Sequence, residues 1–140
     1  MYNALDVAGY IIQYAVSRAI KVSNFKLQAL LYFVQGYFYS TLGVPCFEDD
    51  FEARDCGPVI PKVYRHYSTF GTASLHWHED MQNYKPLIAE SDRVRIEDVV
   101  DLYAEEKATD LLELAARQTP WKTADNIIPK EAIKEFFTEE

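Results

Sequence analysis

One stretch limits what this chain can fold into. Stepping roughly 100° per residue along positions 25–42, Leu27, Leu30, Leu31, Val34, Tyr37, Phe38 and Leu42 fill one broad arc, while Ala29, Phe33, Gly36 and Ser40 occupy much of the rest. A helix apolar nearly all round has to be buried, so other elements must cover it on every side. Ser23 or Asn24 is placed to cap its free amides, Gly43 to stop it in a left-handed conformation, and Pro45 to prevent continuation. The expected fold is mainly α, a compact single domain over residues 1–140 built around this central buried helix.

The flanking pattern supplies the neighbours. Leu5, Ala8, Ile12, Ala15 and Ala19 recur at helical steps and predict a first helix over about 4–20. From 46 to 57, Phe47, Phe51 and Ala53 alternate with acids and Arg54, which predicts a small strand element near 50–56. Gly57-Pro58 is expected to open a third helix, with Pro61 still in its first turn and Gly71 ending it. The stretch 72–94 has no sustained period and reads as loop with room for short strands. Beyond it, Ile96, Val99, Val100 and Tyr103 suggest a short helix, Leu111 to Ala116 another ended by Pro120, and Pro129 begins a last one through Ile133, Phe136 and Phe137.

Charge narrows the function classes. The net charge is −8, and it is uneven: residues 90–140 carry 14 acids against 7 bases, whereas residues 1–89 carry 8 against 7. Nucleic-acid binding draws on Lys and Arg at phosphates, so autonomous binding of DNA or RNA is not expected. A solvated acidic helical surface accounts for the asymmetry, and such a surface also steers basic partners. The longest apolar run, Ala29 to Val34, is far short of the roughly 20 residues of a membrane span. Met1 to Asp6 has no basic segment leading into an apolar run, so no signal peptide is expected and the expected location is the cytoplasm. There, Cys46 and Cys56 are expected to be reduced.

Catalytic signatures are sparse. No phosphate-cradling glycine motif and no G-x-S-x-G elbow occurs. His78-Glu79-Asp80-Met81-Gln82 lacks the second histidine of a zinc-protease helix. His76 and His78 beside Glu79 or Asp80 read as a surface loop before they read as metal ligands, and no cofactor is expected. Either cysteine paired with a histidine is a formal nucleophile, though a buried thiol is the commoner role. Gln28, Tyr32, Gln35 and Tyr39 form a stripe flanking the apolar arc of the central helix; such amides are either structural hydrogen-bonders or part of a recognition face. Lys26 sits at the amino end of that helix, against its dipole, and Glu52 or Asp55 is the expected acceptor for its charge. Trp77, in a loop without apolar period, is the better interface candidate of the two tryptophans.

Several of these residues carry a resemblance. Asn24 to Gln28, Leu30 to Tyr32, Val34-Gln35 and Tyr37-Phe38 resemble the N-L-K-L-Q-K-L-L-Y-Y-V-Q-G helix of the SocA-like antitoxins, also called the Panacea domain. Phe51-Glu52-Ala53, Gly57-Pro58-Val59, Pro61 and Val63-Tyr64 resemble that family's F-E-A-W-x-x-G-P-V-x-P-x-V-Y block, and Leu114 with Pro120-Trp121 its weaker L-[ST]-H-x-E-x-P-W run. Arg54 stands where the family usually has Trp, Ala115-Ala116 replaces Ser/Thr-His, and Gln118 replaces Glu. The resemblance implies a mainly helical, phage-associated antitoxin, not an enzyme, whose partner is a cognate toxin neutralised by direct contact. It fixes no oligomeric state. Its motif positions here are Asn24, Lys26, Gln28, Tyr32, Gln35, Glu52, Gly57, Pro58, Pro61, Tyr64 and Trp121. Two other classes remain open beside it: an adaptor or phage accessory factor delivering a protein to degradation, and a metal- or thiol-dependent enzyme.

Overall fold

A computed structural model describes residues 1–139. The central helix, α2 (Asn24–Leu42), follows α1 (Ala4–Ser17) and is bounded as its sequence requires. The Ser23 hydroxyl accepts from the Lys26 amide at its start. Gly43, at φ 72°, sends its N–H back to the Tyr39 carbonyl at its end. Every residue from Lys26 to Gly36 is buried, because α2 packs against α1, α3 (Pro61–His66), α4 (Glu90–Leu102), α5 (Ala108–Ala116) and α7 (Lys130–Thr138) at once. On the α7 side, Gly36 permits the close approach: a Cβ there would lie 2.5 Å from the Phe137 ring.

The strand element is a hairpin, β1 (Phe51–Arg54) and β2 (Gly57–Val59), paired antiparallel with Glu52 opposite Val59 and Arg54 opposite Gly57. A third strand, β3 (Ile127–Ile128), completes the order β2-β1-β3 by pairing Phe51 with Ile128. The hairpin lies on α2 through Phe51, which meets Tyr32 edge-on at 5.5 Å. The short α6 (Thr119–Lys122) joins α5 to β3.

Four expectations need correcting. Gly57-Pro58 belongs to β2, and α3 begins at Pro61, whose fixed φ and missing N–H suit a first helical position. The segment 72–94 contributes no strand to the sheet: Ser74 makes one isolated bridge to Ser23, Lys85–Leu87 forms a 3-10 helix, and residues from Glu90 onward already belong to α4. Pro120 does not merely end α5 but sits in the first turn of α6. Finally, α1 stops at Ser17 rather than near 20. Ala19 adopts φ 57°, and the Ile20 amide returns to the Ala15 carbonyl at 2.8 Å, closing the helix in the manner usually served by glycine.

Candidate functional site

The stripe of amides on α2 turns inward. Gln35 clamps the loop that enters the hairpin: its Oε1 accepts from the Cys46 and Phe47 amides at 2.8 and 3.3 Å, and its Nε2 donates to the Phe47 carbonyl at 3.0 Å. One helical stretch earlier, Gln28 Oε1 accepts from the Ile60 amide at 2.9 Å while its Nε2 donates to Asn24 Oδ1. The Asn24 amide donates in turn to the Tyr64 carbonyl at 2.9 Å. These three residues satisfy backbone groups that leave the hairpin at either end, and all three are buried. A glutamine does this well because one side chain offers a donor and an acceptor.

Tyr32 and Trp121 tie the carboxyl-terminal half to the same frame. The buried Tyr32 hydroxyl donates to Gln118 Oε1 at 2.8 Å, and burial pushes its pKa up. Gln118 therefore supplies the acceptor where the family pattern has Glu. The half-buried Trp121 donates from Nε1 to the Arg54 carbonyl at 2.9 Å, fixing α6 to the end of β1. At Gly57, φ is 133°, and a Cβ would meet Leu112 Cδ2 at 3.1 Å and its carbonyl oxygen at 3.2 Å. Glycine is thus required twice over, by backbone conformation and by the approach of α5. Pro58 is buried in β2, and Pro61 and Tyr64 are half-buried on α3.

Lys26 is a correction. Neither Glu52 nor Asp55 receives it: Nζ donates to the Ala104 carbonyl at 2.9 Å, and Glu52 pairs instead with Arg54 at 2.9 Å. Burial lowers the Lys26 pKa, with Glu105 and Glu106 acting the other way. The placement against its own helix dipole makes sense in three dimensions, since Ala104 lies just past the carboxyl end of α4, where a cation is favoured.

Trp77 stands apart from this group. Its Nε1 donates to the Gln82 carbonyl at 2.8 Å, and it lines a separate cavity with Tyr10, Tyr14 and Arg18 of the α1 region. A set of tyrosine contacts beside it was not among the expected features. Tyr2 donates to Asp92 at 2.5 Å, Tyr10 to Glu97, and Tyr14 to both Asp101 oxygens at 2.8 and 2.9 Å, a ladder joining the amino-terminal segment and α1 to α4. Its sequence signal was weak: four-residue spacing of Tyr10 and Tyr14 marks one helix face, but nothing marked the acceptors.

Among the described residues, no group of three or more His, Cys, Asp or Glu is placed to hold a metal ion, and no helix is long and apolar enough to cross a membrane. Both cysteines are free, and burial pushes the Cys46 and Cys56 thiols up in pKa, which disfavours the nucleophilic thiolate.

Residues 27–122, which take in α2 from Leu27 onward, the hairpin and α5, match the model of the family described as antitoxin SocA-like, Panacea domain. The chain belongs to that family. Over 69 residues the chain is 42% identical to the antitoxin SocA of Caulobacter vibrioides (strain NA1000 / CB15N), covering 49% of this chain and 37% of that protein. The chain thus spans well under half of that relative. No solved structure matches the chain. Asn24, Lys26, Gln28, Tyr32 and Gln35, residues on which the sequence resemblance rests, are all buried, so they hold the frame together from inside.

Proposed function

We propose that this Panacea-domain protein is an antitoxin that neutralises a cognate toxin in the cytoplasm by direct protein contact, without catalysis of its own. The observation that carries the reading is the 42% identity, over 69 residues, to a protein named antitoxin SocA. The geometry is consistent with it. The most constrained polar side chains of α2 are committed to backbone groups inside the domain, leaving the outer faces of the hairpin and of the carboxyl-terminal helices to meet a partner. With residues 90–140 carrying most of the negative charge, a basic partner surface is the complementary one.

The test is co-expression with the product of the neighbouring gene. That product should arrest growth alone, growth should return when this chain is present, and the two should co-purify as a stable complex. A neighbour that is harmless and does not bind contradicts the reading. If growth returns but the toxin disappears instead of accumulating in a complex, the chain delivers its partner to degradation rather than blocking it.

A further inference from the structure

Between the start of α2, the turn of the hairpin and the outer face of α5 lies a groove of about 630 Å³, within the size range of built ligand sites, about 300–1,000 Å³. Its walls are mostly hydrocarbon, supplied by Phe25, Ala108, Leu112 and Ala116, with Ser23, Thr72 and Thr109 adding hydroxyl groups. Leu112 is held there by Gly57, whose missing side chain lets α5 sit against the hairpin. The charged groups lining it are two carboxylates, Asp55 from the turn and Glu113 from α5, and no lysine or arginine lines it. Among the described residues Asp55 joins no ion pair. Glu113 is engaged by Arg117 at 2.6 Å, but these side chains are 62% and 70% exposed, and an ion pair so open to water contributes little and yields readily to a competitor.

An apolar floor with carboxylates at its edges selects its occupant. We infer, on the protein-binding reading above, that this groove receives a segment of the protein partner that inserts apolar side chains between lysine or arginine flanks. Burying hydrocarbon in the groove supplies affinity, as anchors in pockets do at interfaces. The flanking cations meet Asp55 and Glu113, and the acidity of residues 90–140 favours their approach. An acidic partner meets like charge on both sides and is rejected.

Cys56 lines the same groove and is exposed, whereas Cys46 is buried, so the full chain carries its own reporter and its own control. The probe is a short amphipathic helical peptide of Leu and Lys, compared with the same peptide bearing Glu in place of Lys. With the Leu/Lys peptide at about ten times its dissociation constant, iodoacetamide should modify Cys56 roughly tenfold more slowly, with Cys46 unchanged. The Leu/Glu peptide should give no protection. Reversing the rim with Asp55→Lys and Glu113→Lys should abolish the protection while the Tm stays near that of the parent chain; Glu79→Lys, which lines a different pocket with Trp77 and Val16, should not. Ala116→Trp, which fills the groove without altering charge, is the second variant and should also abolish it. Equal protection by both peptides, no protection, or protection that grows with the concentration of this chain alone (a second copy as occupant) overturns the inference. A chain that passes this test but neutralises no toxin keeps the groove and loses the antitoxin reading. One that neutralises its toxin with the rim reversed loses the groove and keeps the reading.

Discussion

Single side chains at the hairpin junctions hold more than their size suggests. Gln35 satisfies two amides and a carbonyl with one side chain, and truncation strands buried backbone groups at about 1–3 kcal/mol each. Gln35→Ala should therefore lower unfolding free energy by about 2–4 kcal/mol, read from urea denaturation; a loss below about 1 kcal/mol would show that water replaces the amide freely. Gly57→Ala combines an unfavourable φ with a contact 3.1 Å from Leu112 and should cost about 1–3 kcal/mol. The opposite sign is expected at Ala19, where a non-glycine residue holds φ 57° on an exposed turn. Ala19→Gly relieves about 1–2 kcal/mol of left-handed strain and gives part of it back as unfolded-chain entropy, so a Tm raised by a few degrees is the expected result.

Between elements, the tyrosine ladder from the amino-terminal segment and α1 to α4 makes the packing sensitive to alkali. Burial, and then the hydrogen bond to Asp101, push the Tyr14 phenol up to about 12, against about 10 for an unperturbed tyrosine. Between those values the folded chain keeps a proton that the unfolded chain has released, so stability is full below pH 10 and falls as pH rises towards 12. Tm measured from pH 8 to 12 should drop over that interval, and Tyr14→Phe should flatten the drop without removing it, since Tyr2 and Tyr10 are shifted the same way. An unchanged slope would detach the ladder from stability. Asp49 gives the acid arm: burial alone would raise its pKa, but the hydrogen bond from Lys62 and the Ala4 amide outweigh that and lower it. Its contribution is fully present above the ordinary carboxylate value and is lost as pH falls from there through the lowered folded value, so Asp49→Asn should shallow the loss of stability in acid.

At the scale of the whole molecule, what could be read from the residues was the hub. An all-round apolar stretch with a serine before it and a glycine after it admits little except a buried central helix, and α2 is that helix. The amide stripe was legible as a pattern but not as a role, because whether Gln28 and Gln35 face inward depends on where the hairpin ends fall. Lys26 misled for the same reason: its acceptor is a backbone carbonyl beyond α4, 78 residues away, and no side-chain pattern marks a carbonyl. The start of α3 was misplaced because Gly57-Pro58 suits a helix opening locally, while pairing to β1 and the approach of Leu112 claim it for a strand. The groove beside it arises only when α5 folds against that strand, and α5 comes from the other half of the chain.

The central claim is that α2 is an inner frame and that partners meet the surface outside it. Amide hydrogen exchange on the chain alone and in complex with the toxin proposed as its partner tests this directly. The α2 amides from Leu27 to Phe38 should be the slowest in both states and gain nothing on binding, with new protection confined to the surface elements. Rapid exchange along α2 in the free chain, or protection that appears first on α2 when the toxin binds, would contradict it.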